Sequence, residues 1–108
     1  LENLFPHAKI KIAYSPFDAG DLLNTFKPDL VMLDLMMAGI NGFSICHRIK
    51  STPSTENIIV IAMTGALTSD NVKRIVELGA ETCFGKPLDF TLLEKTIQRL
   101  IEQKKAQL

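Results

Sequence analysis

The sequence lacks several features that would point directly to a class of binding partner. Basic and acidic residues balance at 12 each, so no surplus positive charge exists to neutralise nucleic-acid phosphates or an anionic membrane. The longest apolar run, residues 58–63, is far shorter than the roughly 20 residues needed to span a bilayer. The first residues do not combine a basic start with an apolar block, so we expect no signal peptide in this chain. We therefore predict a cytoplasmic domain without a nucleic-acid or membrane surface of its own.

Cysteine and cofactor motifs are also scarce. The two cysteines, Cys46 and Cys83, lie in apolar surroundings without the spacing of metal ligands, which predicts free thiols rather than a disulfide. No glycine-rich phosphate loop and no cofactor-ligating histidine follows a predicted strand, so a domain that binds a nucleotide or cobalamin has no support. His47 falls on the polar face of a helical pattern, where we expect it to be exposed and without a catalytic role.

What the sequence does contain is a regular alternation of strand and helix patterns. Its length of 108 residues and apolar content of 46% suit a single domain with a real core. We expect the polar tail, residues 104–108, to be frayed. Alternation of this kind predicts right-handed crossovers and a doubly wound parallel α/β sheet with helices on both faces. The predicted strands cover residues 9–14, 30–34, 58–63 and 82–85, and the predicted helices cover residues 1–5 and begin near Ser15, Phe43, Ser69 and Asp89.

Three of these strands end at a residue that could carry chemistry. Asp34, Thr64 and Lys86 supply a carboxylate, a hydroxyl and an ammonium, and parallel strands bring their carboxyl ends to one edge of the sheet. A carboxylate can attack a phosphoryl donor in line, while the other two groups bind the oxygens of the transferred group. Each residue alone is more often a cap, a turn residue or a surface lysine. Their joint placement favours phosphoryl chemistry.

These three segments resemble the receiver domains of bacterial two-component response regulators. Residues 28–42, which contain Asp34, resemble the phospho-acceptor segment, and residues 58–65 resemble the fourth strand with its hydroxyl residue. Residues 79–87 resemble the fifth strand with its lysine, whose bond to Pro87 is commonly cis in that family. The intervals of 30 and 22 residues between the three side chains match the family spacing. The resemblance covers about residues 4–103 and implies a flavodoxin-like (CheY-like) sheet.

The resemblance also implies a role for each residue. Asp34 would accept a phosphoryl group from a histidine kinase or a phosphotransfer protein, and Thr64 would bind a phosphoryl oxygen and move on activation. Lys86 would pair with Asp34 before transfer and with the phosphoryl group afterwards. Asp34 and the backbone carbonyl of Met36 would bind Mg²⁺. The domain would not be an enzyme. The loop after Thr64, the helix at residues 69–78 and the last helix would form the face that contacts an effector domain or a second copy.

The sequence departs from the family pattern in three places. The family's first strand and its Mg²⁺-binding acidic pair would lie before Leu1, so we interpret residues 1–108 as one N-terminally truncated receiver domain with four of five strands and an incomplete Mg²⁺ site. We expect it to be part of a longer chain. Ala38 replaces the proline usual in that loop, and Cys83 replaces an aromatic residue that often acts as a switch.

The family strand order 2-1-3-4-5 places the missing strand between residues 9–14 and 30–34, which predicts a gap of roughly 9 to 10 Å. A strand borrowed from another molecule, or an edge strand that docks differently, is the less favoured alternative. Two functions stay open. One is a phospho-acceptor signalling module, supported by Asp34, Thr64 and Lys86; the other is a degenerate, Mg²⁺-free receiver that acts as a protein-docking module, supported by the missing acids and by Cys83.

Overall fold

The computed structural model of the protein describes residues 10–13, 28–35 and 41–106. The helices predicted at residues 1–5 and from Ser15 lie outside the described residues. Within the described part, strands and helices alternate as the sequence predicts. The strands are β1 (Ile10–Ala13), β2 (Leu30–Asp34), β3 (Ile59–Thr64) and β4 (Thr82–Gly85), and the helices are α1 (Gly42–Ser51), α2 (Ser69–Glu77) and α3 (Phe90–Ala106).

The four described strands form one parallel sheet in the order β1-β2-β3-β4. The predicted gap beside β2 is wrong, because β1 pairs directly with it, with Ile10 opposite Leu30 and Ala13 opposite Leu33. The physical reason is that an open strand edge presents a row of unpaired N–H and C=O groups. A neighbouring strand of the same direction satisfies them by docking against that edge. The alternative of an edge strand that docks differently is the one that the structure shows.

Two hydrophobic clusters cover the two faces of the sheet. Successive strand residues point to opposite faces, so Leu30 and Met32 pack against α3 while Val31 and Leu33 pack against α1 and α2. Every residue of β2 and β3 is buried, as their continuous apolar runs predict. Burial of each such large side chain stabilises the fold by about 1.5–3 kcal/mol. The prediction of a doubly wound sheet is confirmed.

Each helix begins at a polar side chain that accepts hydrogen bonds from the first free N–H groups. Thr68 caps α2 and Asp89 caps α3, at or next to the predicted starts of these helices, and Asn41 caps α1 by accepting from the N–H groups of Phe43 and Ser44. The Asn-Gly pair that looks like a turn in the sequence is therefore a helix start. A Cβ at Gly42 would lie 2.8 Å from the Cα of Leu35, so only glycine lets α1 begin directly against the end of β2.

Helix α3 continues to Ala106, so the prediction of a frayed tail is wrong for residues 104–106. Lys104 forms an ion pair with Asp29 at 3.6 Å and donates to the Asp29 backbone carbonyl at 3.3 Å. These contacts tie the last turns of α3 to the start of β2. None of the helices in the described ranges has the length and apolar character required to cross a bilayer.

Candidate functional site

The ends of β2, β3 and β4 bring Asp34, Thr64 and Lys86 to one edge of the sheet. Asp34 ends β2, Thr64 ends β3, and Lys86 directly follows β4. Backbone hydrogen bonds keep the strands paired right up to this edge. The N–H of Leu35 donates to the Met63 carbonyl at 2.8 Å, and the N–H of Lys86 donates to the Thr64 carbonyl at 2.9 Å. We call this group the carboxyl-edge site.

Asp34 and Lys86 form an ion pair in which the Lys86 Nζ donates to Asp34 Oδ2. The Asp34 side chain is 12% exposed and that of Lys86 is 44% exposed. The carboxylate is thus largely removed from water, and its Oδ2 is engaged by an ammonium group. The structure therefore places a carboxylate oxygen at the sheet edge with limited access from solvent. The bond between Lys86 and Pro87 is cis, as the resemblance implies.

Thr64 is fully buried, and its Oγ1 accepts a hydrogen bond from the Ala66 N–H at 3.0 Å. A hydroxyl that accepts one hydrogen bond still has its own proton to donate. Thr64 can therefore donate to an oxygen that arrives at the carboxyl-edge site while it holds the loop that follows β3.

That loop carries a residue that sequence reasoning missed. Asn71 Nδ2 donates to the Ala66 carbonyl at 2.9 Å, while the Asn71 N–H donates to Thr68 Oγ1 at 3.1 Å. The signal that could have found it is its place three residues after the N-cap, where a polar side chain often reaches back over the start of the helix. Leu67, which is 54% exposed, lies over Gly85, where an added Cβ would be 3.1 Å from its Cδ2.

The donors that the structure describes at this edge do not complete a Mg²⁺ site. Mg²⁺ takes carboxylate and other oxygen ligands in octahedral geometry, and Asp34 supplies one carboxylate that an ammonium already engages. Met36, whose carbonyl was the other predicted ligand, lies outside the described residues. Across residues 10–13, 28–35 and 41–106, no group of three or more His, Cys, Asp or Glu side chains could hold a metal ion.

The two cysteines are free, as predicted, and neither is activated. Burial raises the pKa of the Cys46 thiol, which donates to the Leu78 carbonyl at 3.7 Å. Burial also raises the pKa of the half-buried Cys83 thiol on β4. Since the thiolate is the reactive form, both groups act as small apolar side chains. His47 is exposed, as expected.

An open groove of about 640 Å³ runs beside the carboxyl-edge site along β4 and α3. Leu67 and Leu92 line it, and both are more than half exposed, as is the nearby Phe90. This groove belongs to the region that the sequence predicts as a contact face. Contiguous exposed apolar patches are typical of surfaces that bind other proteins, so this groove is a candidate for such a surface.

Comparison with known proteins gives one consistent family. A family model described as the response regulator receiver domain matches residues 2–98. A signal receiver domain of a DNA-binding response regulator from Colwellia psychrerythraea 34H is 83% identical, with a TM-score of 0.85, over 94% of this chain and 82% of that chain. The BeF3-activated DrrB receiver domain is 29% identical, with a TM-score of 0.68, over 78% of this chain and 71% of that chain.

Curated relatives agree with the structural matches. The sporulation initiation phosphotransferase F of Bacillus subtilis is 34% identical over 100 residues, which are 87% of this chain and 79% of that protein. Several other relatives are much longer, and this chain spans only 16% to 30% of their length. One of these longer proteins carries the name of an enzyme, a probable cyclic di-GMP phosphodiesterase from Vibrio cholerae.

Proposed function

The chain belongs to the family of response regulator receiver domains, the phospho-acceptor modules of two-component signalling, and on that premise we propose that Asp34 accepts the phosphoryl group. The observation that carries the assignment is the Asp34–Lys86 ion pair at the end of two parallel strands, with the Thr64 hydroxyl on the strand between them. We propose that residues 1–108 act as one receiver domain in the cytoplasm, with no enzymatic activity of their own. The donor is a histidine kinase or a phosphotransfer protein.

The transfer step follows from the chemistry of these three side chains. An Asp34 carboxylate oxygen attacks the phosphorus of a phosphohistidine, a new O–P bond forms, and the P–N bond breaks with its electron pair returning to the imidazole. The Lys86 ammonium moves from the carboxylate to a phosphoryl oxygen, and the Thr64 hydroxyl donates to a second one. Both donors offset negative charge that builds up on the transferred group.

Mg²⁺ is part of this proposal as the cofactor of the phosphorylation, in which it would offset the charge of the donor and of Asp34. Because the described donors do not complete its site, we derive no step through the metal. A phosphorylation reaction repeated with EDTA in place of Mg²⁺ tests the requirement. We expect EDTA to abolish the reaction.

The competing function is a docking module that is never phosphorylated. The donor set around Asp34, which is incomplete among the described residues, and the exposed apolar groove beside β4 favour it. In that case Asp34 and Lys86 would serve only to hold two strand ends together. An effector domain or a second copy of the chain would occupy the groove in either case, so binding to the groove does not separate the two functions.

Phosphorylation itself separates them. The protein is incubated with Mg²⁺ and acetyl phosphate, and the intact mass is measured for the wild type, Asp34→Asn and Asp29→Asn. Asp29 is the matched control, because it directly precedes the same strand and is also paired with a lysine. We expect the wild type and Asp29→Asn to gain one phosphoryl group and Asp34→Asn to gain none. No gain in the wild type, or an equal gain in Asp34→Asn, would overturn the assignment.

A further inference from the structure

The backbone of Ala66 is hydrogen-bonded on both sides of its Cα. On one side its N–H donates to Thr64 Oγ1 at 3.0 Å, and on the other its carbonyl accepts from Asn71 Nδ2 at 2.9 Å. Thr64 ends β3 in the carboxyl-edge site, whereas Asn71 lies in the first turn of α2. One loop residue therefore connects the buried hydroxyl to the helix through two side-chain hydrogen bonds.

The rest of the loop after β3 makes few contacts with described residues that would oppose its movement. A Cβ added at Gly65 would meet no described atom within 4 Å, so the segment is not packed at that point. Leu67 contacts Gly85 but leaves more than half of its surface in solvent. Segments with few buried apolar contacts are the ones that open or shift at low free-energy cost. Among the described residues, the two hydrogen bonds on Ala66 are thus specific constraints on where this loop lies.

The Asn71 side chain is not needed to cap the helix. The N-cap is Thr68, whose Oγ1 already accepts a hydrogen bond from the Asn71 N–H. The N–H of the next residue, Val72, donates to the Thr68 carbonyl. Asparagine is also among the weaker helix formers. The hydrogen bond from Asn71 to Ala66 therefore adds a constraint between helix and loop, beyond what the start of α2 requires.

We propose that Asn71 is a positioning residue that ties the first turn of α2 to the Thr64 hydroxyl, so that a movement of Thr64 is transmitted through Ala66 to α2. The inference rests on the proposed function insofar as an arriving phosphoryl oxygen is what displaces Thr64. When the hydroxyl turns toward that oxygen, Ala66 either follows it or loses its hydrogen bond. In both cases the Ala66 carbonyl shifts beneath Asn71, and α2 responds. This route needs no aromatic ring at Cys83.

The first test uses the resting protein and amide hydrogen exchange. Asn71→Asp removes the Nδ2 donor at nearly constant size, while its negative charge favours the helix N-terminus. We expect the Ala66 amide to exchange about fivefold faster, the size of effect that loss of one hydrogen bond gives, although Tm stays equal or rises. Ser69→Asp places the same charge in the same turn without contacting Ala66, and we expect wild-type exchange at Ala66.

A second variant probes the link from the other end. Thr64→Val removes the Oγ1 acceptor at nearly constant shape, and we expect faster exchange not only at Ala66 but also at the Asn71 and Val72 amides, which Thr64 does not contact. Wild-type exchange at Ala66 in Asn71→Asp, or at Asn71 and Val72 in Thr64→Val, would overturn the link. Circular dichroism confirms that each variant is folded.

The same variants are then compared after phosphorylation with acetyl phosphate and Mg²⁺. We expect the wild type, Ser69→Asp and Asn71→Asp to gain the phosphoryl group equally by mass, but Asn71→Asp to lose at least half of the phosphorylation-dependent change in exchange across residues 69–77. An undiminished change in Asn71→Asp would contradict the proposal. If the wild type gains no mass, the proposed function of Asp34 fails, and the resting measurement alone decides the role of Asn71.

Discussion

Strand β2 has an aspartate at each end, and each is paired with a lysine from the last quarter of the chain. At the carboxyl end Asp34 pairs with Lys86, and just before the amino end Asp29 pairs with Lys104. The Asp34 side chain is 12% exposed, whereas that of Asp29 is 43% exposed. The same two residue types thus meet in very different surroundings on one strand.

The difference in surroundings separates the proposed phospho-acceptor site from a structural contact. Lys86 directly follows β4, which pairs with β3 and thus with Thr64, so the carboxylate at this end lies among groups that can bind a phosphoryl group. Lys104 comes from α3 and also donates to the Asp29 backbone carbonyl, so its contacts hold a helix against the sheet. Ion pairs near the protein surface, of which this partly exposed pair is one, stabilise proteins by about 0–1 kcal/mol. Residue type alone does not distinguish the two ends.

Replacing each lysine in turn tests this comparison most strongly. We expect Lys86→Met to slow phosphorylation of Asp34 by acetyl phosphate by about 100-fold or more, because one positioned charge that binds the transferred group is lost. Lys104→Met should leave the rate within twofold of the wild type. The rate is measured as the gain of intact mass with time. If phosphorylation were slowed to a similar extent in both variants, Lys86 would have no special role in the transfer, and the proposed difference between the two ion pairs would be wrong.

The glycines at the carboxyl end provide a second, smaller test. Gly42→Ala places a Cβ 2.8 Å from the Leu35 Cα and 3.1 Å from the Asp34 carbonyl oxygen, so α1 must shift away from the end of β2. We expect the free energy of unfolding in urea to fall by about 1–3 kcal/mol. Gly65→Ala is the matched control, since no described atom lies within 4 Å of its Cβ, and it should change stability by less than about 0.5 kcal/mol. An equal loss of stability in both variants would show that the close approach of α1 to the end of β2 at Gly42 does not affect stability.

The sequence was sufficient for the central strands and for the location of the carboxyl-edge site. The continuous apolar runs of β2 and β3 have one stable placement, between two layers of helices, and parallel strands necessarily end at one edge. The positions of Asp34, Thr64 and Lys86 follow from that placement. The helix starts at Thr68 and Asp89 were also predictable, because a cap side chain accepts hydrogen bonds from N–H groups only a few residues away.

The contacts that the sequence did not reveal join residues far apart in the chain or depend on which partner is present. The pairing of β1 with β2 depends on which strand edge is open, and an alternating pattern carries no information on that. Lys104 reaches the Asp29 carbonyl across 75 residues, so a polar tail that looks frayed is in fact held. Asn71 is closer to its partner, yet nothing in its residue type distinguishes a link to Ala66 from an ordinary position in the first turn.

The pH dependence of stability tests the amino end of the sheet, because Lys50 lies beside the start of β3. Its Nζ donates to the Glu56 carbonyl at 3.1 Å and to the Ile58 carbonyl at 2.6 Å, just before β3, and it faces Glu81 and Lys104 across the same pocket. Burial lowers the pKa of Lys50 below its ordinary value of 10.5. Between the lowered pKa and 10.5 the unfolded chain holds more protons than the folded one, so stability should rise with pH.

We therefore expect the free energy of unfolding of the wild type, minus that of Lys50→Met, to increase from pH 7 to pH 10. The growth should be a few tenths of a kcal/mol, because Lys50 is only half-buried and water screens its charge. Urea denaturation of both proteins at each pH measures it. Burial raises the pKa of Cys83 from 9.0 and so lowers stability at high pH in both proteins, and this contribution cancels in the difference. Burial also raises the pKa of Cys46 while Lys50 lowers it, so in Lys50→Met that pKa is raised further and the loss of stability at high pH adds to the same difference. A difference that stays constant or shrinks would show that Lys50 remains fully charged at the amino end.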